Sequence, residues 1–192
     1  MDTLYQAFDS AGLVWEQALD QVGWLHVLML VAHLGAAWLC LLNAHIASQA
    51  TDDDETPGAW LAAAALLCLL GVNSMLQLDL LLTQTVRTMA KLDGWYGQRR
   101  ELQYELLAGL VLLALLACGW LRAWFVANIR ESEPVALGLL LLLLLLLLAA
   151  LSAHGTDALL NAQLAGLSVR RLLELAGLGL VACGSWRCLQ LR

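Results

Sequence analysis

The sequence predicts an all-α fold, a polytopic membrane bundle of about five transmembrane helices with an N-terminal amphipathic helix at the interface, and three observations predict it. Only 14% of the 192 residues are charged while 61% are hydrophobic, against about a quarter charged in an ordinary soluble domain. Leu, Ala, Val and Gly fill segment after segment of roughly 20 residues, the length that crosses a bilayer. Trp24, Trp38, Trp60, Trp95, Trp120, Trp124 and Trp186 lie in or beside those segments, most near their ends, where amphipathic rings anchor at the lipid–water boundary.

Residues 1–21 form the first unit. Leu4, Phe8, Trp15, Leu19 and Val22 recur at spacings of three, four or seven, with acids between them, the pattern of a short amphipathic helix. It carries Asp2, Asp9, Glu16 and Asp20 and no Lys or Arg, so it lacks the basic start of a cleavable signal peptide, and Met1 is expected to stay. An acidic helix is not drawn to anionic head groups, and docking on the protein's own helices is expected instead.

Residues 22–192 form a single transmembrane domain. The first span runs from about Val22 to Ile46 and ends in the solvated acidic loop Thr51-Asp52-Asp53-Asp54-Glu55. Pro57 then opens the second, to about Leu82, as proline suits a first helical turn. The helical pattern continues amphipathically through Arg87 and Lys91 to Gly94. A third span is expected over about Leu102 to Ala127, and a fourth after Pro134, containing the ten leucines Leu139 to Leu148. So uniform a run is expected to face lipid. The fifth, about Val169 to Leu189, is rich in Gly and Ala, which allow close helix approach.

Charge and cysteines exclude several classes. Ten Lys and Arg stand against 16 Asp and Glu, net −6, so there is no basic surface for nucleic acid. The partners expected are membrane lipids, and a membrane-protein complex or a homo-oligomer. Cys40, Cys68, Cys118, Cys183 and Cys188 show neither C-x-x-C nor zinc spacing and read as small buried hydrophobes. No cofactor and no metal are called for. With five spans, Arg87, Lys91, Arg99, Arg100, Arg170 and Arg171 fall on the N-terminal side and Arg122, Arg130, Arg187 and Arg192 on the other, which favours a cytoplasmic N-terminus.

That topology gathers the chemistry at one membrane face. Asn73 and Asp79 close the second span; Arg99, Arg100 and Gln103 open the third; Ser152, His154 and Asp157 follow the fourth. An ionised carboxylate near a bilayer centre costs about 2.5–3.5 kcal/mol, so Asp79 needs a partner or water; Arg99 or Arg100 is the expected counter-charge. An Arg fork at this depth suits a carboxylate or phosphate, and a His beside a carboxylate can relay a proton or act as acid or base.

The turn Gly94-Trp95-Tyr96-Gly97-Gln98-Arg99-Arg100-Glu101-Leu102-Gln103, the segment Ser152-Ala153-His154-Gly155-Thr156-Asp157, Leu173-Glu174-Leu175-Ala176-Gly177, and upstream Gly71-Val72-Asn73 with Leu78-Asp79-Leu80 resemble a group of small, uncharacterised bacterial inner-membrane proteins carrying G-W-Y-x-x-R-R-x-x-Q and S-x-H-x-x-D motifs. The resemblance implies a multi-pass protein of the bacterial inner membrane and brings no activity with it.

The leading functional expectation is a membrane protein whose cluster of Asn73, Asp79, Arg99, Arg100, Gln103, Ser152, His154 and Asp157 binds or passes a small anion or proton, or serves in a membrane complex. Two alternatives stay open. One is an enzyme on a lipid or lipid-linked substrate, with His154 and Asp157 as acid and base and Arg100 on the head group. The other is a haem b subunit, because His26 and His33, seven apart, share a helix face.

Overall fold

A computed structural model describes residues 2–20, 22–49, 56–92, 109, 112, 116, 119–120, 123, 133–151, 160–164 and 166–191. Among them the fold is all-helical apart from one small hairpin. The elements are α1 (Asp2–Leu19), α2 (Trp24–Gln49), α3 (Pro57–Leu76), α4 (Leu78–Leu92), α5 (Glu133–Leu151), β1 (Gln163–Leu164), β2 (Leu167–Ser168) and α6 (Val169–Gln190). Three of these helices, α2, α3 and α6, are long and apolar enough to cross a membrane. The fully described part of α5, Glu133–Ala149, is apolar but shorter. Gly109, Leu112, Leu116, Gly119, Trp120 and Ala123 are also helical and exposed.

Helix directions follow from which residues meet. A Cβ added at Gly71 of α3 would lie 2.9 Å from His33 Cβ, so the end of α3 lies against the first half of α2 and the two are antiparallel. On α2 and α6, His33 faces Glu174 and Asn43 bonds Ser185; numbers rise together and the pair is parallel. On α5 and α6, Val135 meets Gly184 while Leu142 meets Gly177, an antiparallel pair. Trp60, Met29, Leu67, Val135 and Val181 are fully buried between them.

Polar residues join α2 to α6 toward the C-terminal ends of the two helices. Asn43 Nδ2 donates to the Leu39 carbonyl at 2.9 Å and to the Ser185 carbonyl at 3.0 Å, and Cys40 Sγ lies 3.6 Å from Ser185 Oγ. Such interhelical bonds hold helices together in lipid, where hydrophobic association is absent.

Several expectations change. The second span was expected to reach Leu82, but α3 ends at Leu76 because Gln77 adopts the left-handed conformation, φ 51 and ψ 43. Its N–H donates to the Asn73 carbonyl at 2.8 Å, and the Asp79 N–H to Asn73 Oδ1 at 3.1 Å. The chain therefore stops one helix and starts another before Asp79 is carried into the apolar layer. The leucine run is not wholly lipid-facing: Leu139, Leu142 and Leu145 are buried, because Gly138 lets α6 approach that face. Trp60 is buried rather than interfacial. Of the cysteines, Cys40 and Cys188 are buried but Cys183 is exposed.

The N-terminal helix matches its expected extent, and its packing partner is α4. Ala7 and Ala11 are buried while Leu4 and Phe8 stay exposed, so small residues make the packed side and large apolar ones face outward. Trp15 Nε1 donates to the Leu76 carbonyl at 2.6 Å, satisfying one of the acceptors that the end of α3 leaves open.

Candidate functional site

The site lies where α2 begins, α3 ends, α4 begins and α6 begins. Each of these ends is fixed locally. Asn73 joins α3 to α4 through the two bonds above, which sets Asp79 in the first turn of α4. The β1–β2 hairpin, with Gln163 opposite Ser168 and Leu164 opposite Leu167, turns through Gly166 at φ +82. It delivers Ser168 as the N-cap of α6, whose side chain accepts from the Arg171 N–H at 3.3 Å. A capped helix start fixes where the next residues point, and the next residues are Arg170 and Arg171.

Both arginines are engaged by acids. Arg170 Nη2 donates to Asp79 Oδ2 at 2.8 Å, joining α6 to α4. Arg171 Nη1 donates to Glu174 Oε2 at 2.8 Å and to Ser74 Oγ at 3.0 Å, joining α6 to α3. The Asp79 carboxylate and the Arg171 and Glu174 side chains are largely buried, whereas Arg170 is about one-third exposed (34%). Charged pairs at such a depth hold only when each group finds a partner.

A cavity of about 360 Å³ opens among these groups. Among the described residues, His26, Asn73, Ser74, Gln77, Asp79, Thr83, Gln84, Asn161, Ser168, Arg170 and Arg171 line it, with Leu80, Ala149 and Leu160 as apolar neighbours. Two guanidinium groups and one carboxylate among the described residues border this space, and Glu174 pairs with Arg171 from outside the lining. His26 Nδ1 is buried with no hydrogen-bond partner among the described residues. A smaller cavity of about 30 Å³ lies deeper, bordered by His33, Asn73, Ser74, Arg170 and Glu174 together with Leu70, Leu142, Leu145 and Leu146.

Of the residues expected from sequence, the structure brings Asn73 and Asp79 together at this site. Arg99, Arg100, Gln103, Ser152, His154 and Asp157 lie outside the described residues, as do the Trp95 turn, the acidic loop 51–55 and most of the third span. Among the described residues the counter-charge of Asp79 is Arg170 of the last helix. Sequence reasoning placed Arg170 and Arg171 on the N-terminal side with the cluster but left them out of it. It also left Ser74 and Glu174 out, and considered His33 only as a haem ligand. A signal for Glu174 existed: it is a lone acid inside an apolar span, and such residues mark functional interiors.

His26 and His33 of α2 border different cavities. His33 Nε2 opens on the 30 Å³ cavity opposite Glu174, a space of about water size, while His26 faces the polar cavity. Among known proteins, no family description, curated sequence or solved structure matches the chain.

Proposed function

We propose that the chain is a multi-pass protein of the bacterial inner membrane, with its N-terminus cytoplasmic, that binds a small anion in the 360 Å³ polar cavity, by itself or within a larger membrane assembly. The observation that carries this reading is the charge around the cavity: among the described residues, two arginines against one carboxylate, beside the capped start of α6, whose dipole adds partial positive charge. Guanidinium forks suit carboxylate, phosphate and sulfate groups.

Five crossings are supported by helix direction. Both α3 and α5 run opposite to α6, so they are parallel to each other, and two successive parallel spans require the chain to return across the bilayer between them. We assign that return to the expected third span, about 102–127. The inner-membrane location rests on the motif resemblance, and the orientation on the count of basic residues.

The test uses the purified full chain in nanodiscs of neutral phosphatidylcholine, with sulfate binding followed by calorimetry. Saturable binding that Arg171→Gln weakens at least tenfold is expected. If phosphatidylglycerol in the disc displaces sulfate, the anion is a lipid head group; if not, it is a soluble anion. Sulfate binding that is absent, or equal in the variant, overturns the reading.

A further inference from the structure

His33 is fully buried, and Glu174 is 12% exposed. The His33 ring is oriented by its own helix: Nδ1 lies 2.8 Å from the Met29 carbonyl. A carbonyl only accepts, so Nδ1 carries the hydrogen and Nε2 of the neutral ring is left with a lone pair. That lone pair faces Glu174 Oε1 at 3.8 Å, and a carboxylate likewise only accepts. Two acceptors thus oppose each other in a largely buried place, too far apart for a direct hydrogen bond, and both residues border the 30 Å³ cavity, about the size of one water. A proton placed between them would turn this opposition into an attraction.

We infer that His33 and Glu174 form a proton-binding site coupled to the anion cavity through Arg171, an inference that rests on the anion reading above. Glu174 is the link, because its other oxygen, Oε2, holds Arg171 Nη1 at 2.8 Å. One proton entering from water takes the His33–Glu174 pair from a net charge of −1 to zero. Glu174 then shares its charge with, or loses it to, the proton, and its hold on Arg171 weakens. Arg171 borders the larger cavity, so its positive charge becomes available to an anion there. Proton and anion therefore strengthen each other's binding, and by linkage the effect is reciprocal.

The other groups around the pair do not replace this role. From α2, His26 borders the larger cavity; from α4, Asp79 is held by Arg170. Arg170 and Arg171 of α6 stay charged throughout. On the α3 side stand Ser74 and Asn73, and on the α5 side leucines, none of which titrates.

Sulfate is the probe, since its charge does not change between about pH 5 and 8, the range in which histidine is the natural switch. In phosphatidylcholine nanodiscs its affinity is expected to rise as pH falls, by up to about tenfold per pH unit where one proton accompanies each anion. Calorimetry in buffers of different ionisation enthalpy should count close to one proton taken up per sulfate. Glu174→Gln, which removes the charge for good, should bind sulfate tightly at both ends of the range without proton uptake. His33→Asn should bind at the weak, high-pH level with the pH slope lost, and it keeps the test available if the Glu174 variant does not fold. Infrared difference spectra between acid and alkaline samples without sulfate should show a carboxyl or imidazole signal that each variant abolishes. Sulfate binding that is the same at all pH values overturns the coupling while leaving the anion site standing. Absent sulfate binding with the infrared signal intact overturns the anion reading and the coupling but keeps the proton site, and absence of the infrared signal overturns the proton site itself.

Discussion

Gln77 and Asp79 show how two residues separate a membrane span from its polar end. Gln77 sits at φ 51, a region in which a side chain costs roughly 1 kcal/mol and glycine nothing. Gln77→Gly should therefore leave thermal stability in detergent unchanged or slightly raised, whereas Gln77→Val, β-branched and poorly suited to that conformation, should lower it by about 1–2 kcal/mol. Two residues on, Asp79 accepts from Arg170 at 2.8 Å. Arg170→Gln should destabilise by about 1–3 kcal/mol, the cost of a largely buried acceptor left unsatisfied. The double variant Asp79→Asn/Arg170→Gln should recover part of that loss, since the stranded charge is gone. Additive losses in the double variant would show that the pair contributes nothing jointly.

Elements meet through glycines on one side of the bundle. An added Cβ at Gly138 of α5 would lie 2.5 Å from the Gly177 carbonyl and 2.7 Å from Val181 Cγ2, both on α6, while one at Gly179 would meet nothing within 4 Å. Gly138→Ala is expected to cost about 1–3 kcal/mol through forced separation of the helices. Gly179→Ala is expected to be neutral or to stabilise by up to about 1 kcal/mol, as alanine favours a helix. Paired thermal unfolding curves decide this, and equal effects at the two positions would refute the packing. The contrast was not legible in the sequence: both glycines sit in apolar helices with small neighbours, and only the partner helix distinguishes them. The run Leu139 to Leu148 hides its buried face for the same reason, because identical residues give no amphipathic signal.

At the scale of the whole molecule, α2 starts where α3 ends and where α6 starts, so those ends lie on one side. The far ends, near Ser48 and Leu191, lie on the other. In a background with the native cysteines replaced by alanine, Gly23→Cys and Gln163→Cys should react with a membrane-impermeant maleimide from one side of sealed vesicles. Ser48→Cys and Leu191→Cys should react only from the opposite side. Labelling of all four from one face would exclude this arrangement of spans.

The sequence by itself determined the solvent of this protein, its helical class, the amphipathic N-terminal helix and the presence of costly polar groups near the end of the second span. Those properties depend on hydropathy and spacing along the chain, which are local. It also ranked Asp79 as needing a partner. Only tertiary structure decided that the partner is Arg170, 91 positions away, and that His33 and Glu174 face each other. Their pairing arises because α2 and α6 run parallel and a glycine at position 71 brings α3 against His33. No periodicity within a single helix records which other helix will lie beside it.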